Sequence, residues 1–346
     1  MTKQFLLSLF LFCTTGLFAQ QKTNWLGSGK TVDPYNYQQT KSANYTNGAV
    51  SSAHPLASMV GAEIMKKGGN AFDAAIATQL TLAVVYPVAG NIGGGGFLVG
   101  RKKNGTLVGL DYREEAPGKA SRDMYLDKDG KAQTNLSQNG HLAAGVPGTV
   151  AGLFATLPHA KLKMKDLIQP AIDIAEFGYV ITAKEASALN SNKEAFIKYN
   201  THTPVFVIEQ KWKAGDTLIQ TELANTLKRI RDKGAKGFYE GETARMIVEE
   251  MQRGKGIISY EDLQNYTAKE REPLSFLYKG YRVVSMPLPS SGGILLKQMM
   301  KMTEKRNIAS MRFLSAKTVQ LMTEVERRAF ADRAEFLGDP DFVKVP

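Results

Sequence analysis

Cysteine is almost missing from this 346-residue chain: Cys13 is the only one, and it falls in a segment expected to be removed. A mature chain without it excludes disulfides, thiolate metal sites and a cysteine nucleophile. Beyond the N-terminus no apolar run approaches the roughly 20 residues that a bilayer-spanning helix needs. The four histidines, His54, His141, His159 and His202, lack HExxH spacing, and no G-x-S-x-G elbow marks a serine hydrolase. Zinc and RNA-binding signatures are absent, as is any stretch of low hydrophobicity and high charge that would mark extensive disorder. From the residues alone, no nucleophile with its base can be named.

What is present looks globular, with 43% hydrophobic and 22% charged residues. Lys3, the apolar run Phe5 to Phe12 and the small-residue exit near Leu17-Phe18-Ala19 form a secretory signal peptide over residues 1–19. A lipoprotein would need small residues before Cys13, where Phe12 stands. Export to the periplasm or the outside is therefore expected. Residues 20–47 read as an extended polar leader or surface loop. Within it, Gly27-Ser28-Gly29-Lys30-Thr31 imitates the end of a P-loop, but Asn24 occupies the place of the first glycine.

The globular part begins at 48 and runs to 346, with no internal repeat and no flexible linker, so one α/β or α+β domain is expected. Ala49–Ala53 reads as a strand. Leu56, Met59, Val60 and Ile64 mark a helix stopped by Gly68-Gly69. Asn70 can cap the next helix, with Asp73 in its first turn, and Phe72 to Val85 is apolar on nearly every face, as a buried helix is. Phe97–Val99 and Leu107–Tyr112, joined through Asn104-Gly105, read as a hairpin. Further helices fit Val150–Thr156, Leu167–Phe177, Thr221–Lys233, Thr243–Met251, Ile294 onward, and Lys317–Phe336. Tyr281–Met286 reads as a strand.

The net charge of +11 raises the question of nucleic acid. The densest basic segment, Lys228, Arg229, Arg231, Lys233 and Lys236, shares its helix with Leu223, Leu227 and Ile230 at helical spacing. It reads as the wet face of an amphipathic helix, and no aromatic residues interleave with it. No nucleic-acid partner is expected; the charge suits solubility and small acidic substrates.

Three features invite a functional reading, each beside a plainer one. Gly90-Asn91-Ile92-Gly93-Gly94-Gly95-Gly96 precedes a strand, so it does not fit the dinucleotide fingerprint; it is a tight packed turn or the backbone wall of an active site. Arg113, at a strand end, either pairs with Glu114 or Glu115 or grips a carboxylate bidentately. Ser290-Ser291-Gly292-Gly293 opens a helix, where the serines cap it or the terminus receives an anion. Asp332, Glu335, Asp339 and Asp341 lack a calcium-loop pattern and read as a solvated turn, so no metal is expected.

Taken together, ordered segments resemble the γ-glutamyltransferases. They are Gly68-Gly69-Asn70-Ala71-Phe72-Asp73-Ala74-Ala75; Gly90 to Phe97; Asp111-Tyr112-Arg113-Glu114 with Ala116-Pro117; and Pro147-Gly148-Thr149-Val150-Ala151-Gly152. Asp262-Leu263, Met286-Pro287, Pro289-Ser290-Ser291-Gly292-Gly293 and Ala331-Asp332-Arg333 through Leu337-Gly338-Asp339-Pro340-Asp341-Phe342-Val343 complete the set. The resemblance implies an αββα sandwich of the N-terminal-nucleophile hydrolase type, made when a precursor cuts itself into large and small subunits. Residues 48–346 would be the large-subunit portion, incomplete without the small subunit from the same precursor.

The implied chemistry transfers a γ-glutamyl group from glutathione or a similar donor to water or an amine, through an ester on the threonine that begins the small subunit. By resemblance, Arg113 grips the α-carboxylate of the glutamyl group. The nucleophile is expected beyond the Asp-Pro-Asp-Phe-Val segment, so catalytic residues are unknown within these 346 residues and the chain by itself is expected to be inactive. No cofactor is implied. A related glutaryl or cephalosporin acylase, or a secreted binding protein that keeps the large-subunit surface, are the alternatives.

Overall fold

Two apolar helices in succession, the second with hardly a polar face, dictate a helical core near the start of the globular part. The computed structural model describes residues 45–346. The expected signal peptide and nearly all of the leader, with Cys13 and the segment 27–31, lie outside the described residues. The chain divides into two compact units where one was expected. One unit runs to Gly93 and again from Glu115 to Tyr266; the other holds Gly94–Glu114 and Thr267–Pro346. No linker composition marks these crossings, because the chain passes between units inside the glycine run and inside otherwise ordinary sequence.

In the first unit, helix α1 (Pro55–Lys66) starts with Pro55 at its first position, and the His54 ring accepts the Leu56 N–H at Nδ1. Nε2 of the same buried ring lies 3.3 Å from Glu185 Oε1. Gly68, with φ of +97°, then turns the chain as no other residue could without strain. Helix α2 (Ala71–Val85) opens with a capping box between Asn70 and Asp73. Asp73 is fully buried, yet its carboxylate accepts backbone N–H groups from Asn70, Lys161 and Leu162. Those donors are what make a buried charge tolerable there.

Ten of the fifteen residues of α2 are buried, as its all-round apolar sequence requires. It packs on α1 and on helix α4 (Met164–Phe177), which follows the shorter α3 (Thr149–Thr156). At its far end, Gln220 Nε2 donates to the buried Val84 carbonyl. Helix α5 (Thr221–Lys233) lays Leu227 and Ile230 onto α4, and its basic face is largely paired. Lys228 meets Glu176 at 2.6 Å, Arg229 meets Glu242 at 3.4 Å, and Arg231 meets Asp232 at 2.7 Å. Helix α6 (Gly241–Arg253) carries Glu250 into a polar knot described below.

The second unit is sheet and helix. Strands β1 (Phe97–Arg101) and β2 (Leu107–Asp111) form the expected antiparallel hairpin, turned at Gly105, and β3 (Lys269–Glu270) adds to the other edge of β2. A second hairpin joins β4 (Leu274–Tyr278) to β5 (Tyr281–Ser285). Its turn, Lys279-Gly280, has φ of +46° and +82°, the geometry that two-residue hairpins favour. The sequence signal for β4 was weak because lysine rather than asparagine or aspartate takes the first turn position. Helix α7 (Gly292–Glu304) packs on this hairpin and on α8 (Ala316–Phe336).

One expected strand is not formed. Ala49–Ala53 alternates between exposed and half-buried residues, as a strand does, but among the described residues nothing pairs with it. Without a neighbour to complete a ladder it remains extended chain.

Glu250 anchors a knot of hydrogen bonds in the first unit. Its oxygens accept from the Thr201 hydroxyl, from Arg253, and from His141 Nε2 at 2.6 Å. Partial burial works against the charged form, but the bonds from Thr201, His141 and Arg253 prevail and hold its pKa at about 2, below the ordinary 4.5. The stabilisation is therefore complete above the unfolded value and disappears as pH falls from 4.5 towards 2. Glu250→Gln should flatten that part of the stability–pH curve, measured by urea midpoints from pH 6 downward. An unchanged acid limb would contradict the assignment.

Candidate substrate-binding site

Arg113 stands two residues past a strand pinned on both edges. Asp111, the last residue of β2, pairs with Phe97 on one side and Lys269 on the other. Tyr112 extends the ladder by one step: its N–H donates to Gly96 O at 3.0 Å, and Gly96 N–H returns a bond to Tyr112 O at 3.1 Å. The Arg113 N–H then donates to Asp111 Oδ1 at 3.2 Å, while Arg113 itself is exposed. A fixed backbone beneath an accessible guanidinium is the arrangement that carboxylate recognition calls for.

The glycine run supplies close approach rather than unusual dihedrals. None of Gly90, Gly93, Gly94, Gly95 and Gly96 has positive φ. At Gly95, however, a Cβ would come within 2.4 Å of Tyr112 O, 2.7 Å of Glu114 N and 2.9 Å of Arg113 C. Within the run it is thus Gly95 that lies against the Arg113 backbone. Gly93 differs: a Cβ there meets nothing nearer than 3.9 Å.

Beneath Arg113 lies a charge network that sequence reasoning did not assemble. Asp111 is only 6% exposed, and its Oδ2 accepts from Arg271 Nε at 3.2 Å and Nη2 at 3.1 Å. The remaining donors of Arg271 take both oxygens of Asp341, at 2.7 Å and 2.6 Å, and Lys269 Nζ adds a bond of 2.9 Å. Hydrogen bonding from Arg271, then from Lys269, holds the Asp341 carboxyl well below the usual range. Bonding to Asp341 in turn, against a smaller cost of burial and with help from Asp111, raises Arg271 further above its ordinary value. The one sequence hint was an aspartate inside an apolar strand; its partner is 160 positions away.

The other candidates resolve differently. Ser291 sits at the cap of α7 but makes no side-chain capping bond, and its hydroxyl accepts from Arg333 Nε at 3.1 Å instead. Its backbone is helical there, with φ −69° and ψ −18°, whereas a capping side chain folds back from an extended residue. In the expected solvated acidic turn, Asp339 accepts the Asp341 N–H and Asp332 accepts from Gln298, so only part of that cluster faces water unengaged by the protein. Among the described residues no group of three or more His, Asp or Glu is placed to hold a metal ion.

Residues 57–346 match the family model described as gamma-glutamyltranspeptidase. The chain belongs to the γ-glutamyltranspeptidase family. It is 44% identical over 302 residues to the glutathione hydrolase proenzyme of Escherichia coli K12, covering 86% of this chain and 52% of that protein. It is 36% identical over 317 residues to the Acylase ACY 1 proenzyme of Pseudomonas sp. strain V22, covering 89% and 57%. Among solved structures, the Helicobacter pylori γ-glutamyltranspeptidase matches with a TM-score of 0.85 at 45% identity, covering 88% of each chain. This γ-glutamyltranspeptidase-family chain thus spans about half the length of the curated relatives it matches. Its mixed helix and strand content is the N-terminal-nucleophile hydrolase class expected from the resemblance.

The Gly95 contact yields a paired test. Gly95→Ala should cost about 2 kcal/mol or more, because the clash is with rigid backbone, whereas Gly93→Ala should change stability by less than about 0.5 kcal/mol. Thermal or urea unfolding of the full gene product reads both. Equal effects would mean that the glycine run is not a close-packed wall.

Proposed function

We propose that this protein supplies the glutamyl-binding half of a γ-glutamyl transferase and hydrolase. The donor, glutathione or a similar γ-glutamyl compound, presents its α-carboxylate to Arg113. A threonine hydroxyl at the start of a small subunit from the same precursor attacks the γ-carbonyl carbon, and its own α-amine takes the proton. The amide C–N bond breaks, the amine leaves with that proton, and water or an amino-acid or peptide amine then attacks the ester. Backbone donors would stabilise the oxyanion in both steps.

The observation that carries this reading is Arg113, exposed at the surface but fixed through its backbone by Asp111 and the Gly95 wall. Two further observations support a second subunit from the same precursor. The chain corresponds to about half of a proenzyme in the E. coli comparison but to most of a separate solved chain in the H. pylori one, the pattern that internal cleavage leaves. In addition, Val319, Met322, Phe330 and Phe336 of α8 are exposed, and helical geometry puts them within about 120° of one another. Glu326 and Arg333 share that arc, and a face of exposed apolar residues with charges among them on a 21-residue helix suits coverage by a second subunit.

We place the mature portion in the periplasm or outside the cell after removal of residues 1–19, with 20–47 as a leader and 48–346 as the large-subunit portion. No helix among the described residues is long and apolar enough to cross a membrane. The acylase relative keeps a glutaryl or cephalosporin acylase open as a second activity; an amino-acid-like carboxylate partner for Arg113 favours the γ-glutamyl one.

Arg113→Lys in the full gene product should raise KM for a γ-glutamyl donor by about tenfold or more with folding intact, since lysine cannot make the bidentate pair. An unchanged KM would sink the assignment. The 346-residue chain expressed alone should show no γ-glutamyl hydrolysis, and detecting any would remove the need for a second subunit.

A further inference from the structure

A carboxylate as buried as Asp111 has a poor choice of conformations unless a cation fixes it. Arg271 does so with two donors on Oδ2, which turns Oδ1 towards the Arg113 N–H. Arg271 is itself held from two further directions. Its N–H donates to Gly109 O at 3.0 Å, and a Cβ on Gly109 would come within 2.4 Å of Arg271 O, so its backbone lies hard against β2. Its guanidinium is closed on the outer side by Asp341, which belongs to a turn where the Phe342 and Val343 N–H groups donate to Asp339 O.

We propose that Arg271 is a positioning residue for Arg113: through Asp111 it fixes the backbone from which Arg113 reaches its ligand, and through Asp341 it makes that position depend on the Asp339–Val343 turn. The chain of contacts is short and wholly polar, running from Asp341 to Arg271 to Asp111 to the Arg113 N–H. Every link is a charge-assisted bond between 2.6 and 3.2 Å. The Arg271 guanidinium is engaged by Asp111 and Asp341. Its contribution is geometric, and misplacing a binding group by a fraction of an ångström weakens the bound state well before the fold fails.

The consequence reaches beyond affinity. A turn lying shortly before the expected cleavage point of the precursor is tied to the arginine that reads the substrate. Any movement of the turn is felt by Arg113 through two rigid ion pairs. The kinetic part of this inference rests on the γ-glutamyl reading; the structural part does not.

The test uses the full gene product and a chromogenic γ-glutamyl anilide, with hydrogen exchange at the Arg113 amide as a second readout. Arg271→Met should raise KM by about tenfold while kcat stays within about threefold, and should speed exchange of the Arg113 amide by about tenfold or more. Asp341→Asn, which leaves the Arg271–Asp111 contact in place, should raise KM by only about threefold. The double variant Asp111→Asn with Arg271→Met removes the buried charge, so it should regain lost thermal stability while KM stays high. Recovery of both would show that Arg271 serves stability alone and would overturn the proposal, as would wild-type KM or wild-type Arg113 exchange in Arg271→Met. If Arg271→Met does not fold, the double variant decides, and wild-type KM in it overturns the proposal. A wild-type protein inactive on the anilide, or an Arg113→Lys variant with unchanged KM, would instead sink the γ-glutamyl reading, and amide exchange still decides the coupling.

Discussion

A buried carboxylate at the end of a central strand constrains everything around the candidate site. Asp111 cannot sit in the interior unpaired, since an uncompensated charge there would cost several kcal/mol. Arg271 meets it from just past β3, the strand on the far edge, and the surplus donors of Arg271 then require a second carboxylate, which Asp341 provides. The position of Arg113 follows from this, because its amide uses the oxygen that Arg271 leaves over. The glycine run completes the enclosure by bringing a backbone where no side chain fits.

In the helical unit the same rule operates with backbone donors instead of a guanidinium. Asp73 is as deeply buried as any residue in that unit, and three N–H groups from two separate segments converge on it. The cap that starts α2 thereby also fastens the Lys161–Leu162 connection, so a local sequence signal becomes a tertiary contact. His54 repeats the pattern, capping α1 with one nitrogen while the other meets Glu185. Helix starts in this unit are points where distant segments are joined, a recurrent use of residues whose local role is to satisfy unpaired N–H groups.

Much of this was legible in the sequence, and the reasons are specific. The boundaries of α2, α5 and α8 could be read within a residue or so, because apolar periodicity marks all three and the Asn70 cap and Tyr86-Pro87 bound α2. Arg113 stands out as a candidate because a strand end followed by a charged residue is readable locally, and because the surrounding motifs resemble a known family. Arg271 was not found, since nothing local distinguishes Lys269-Glu270-Arg271 from a solvated charged stretch; its meaning comes from β2, 160 positions earlier. The Ala49–Ala53 segment has the pattern of a strand and no ladder to join among the described residues, so periodicity alone overstated it. Ser291 had the right residue type for a cap but a helical backbone, and its hydroxyl went to Arg333.

The proposed reaction needs a precursor that divides and then carries the glutamyl group on its smaller part. Mass spectrometry of the full gene product, purified and then quenched in acid after brief exposure to a γ-glutamyl donor, addresses both steps at once. The expected result is two chains, the smaller beginning with threonine and bearing a γ-glutamyl adduct on that residue. A single uncleaved chain that still turns over the donor, or an adduct found on the larger chain, would contradict it.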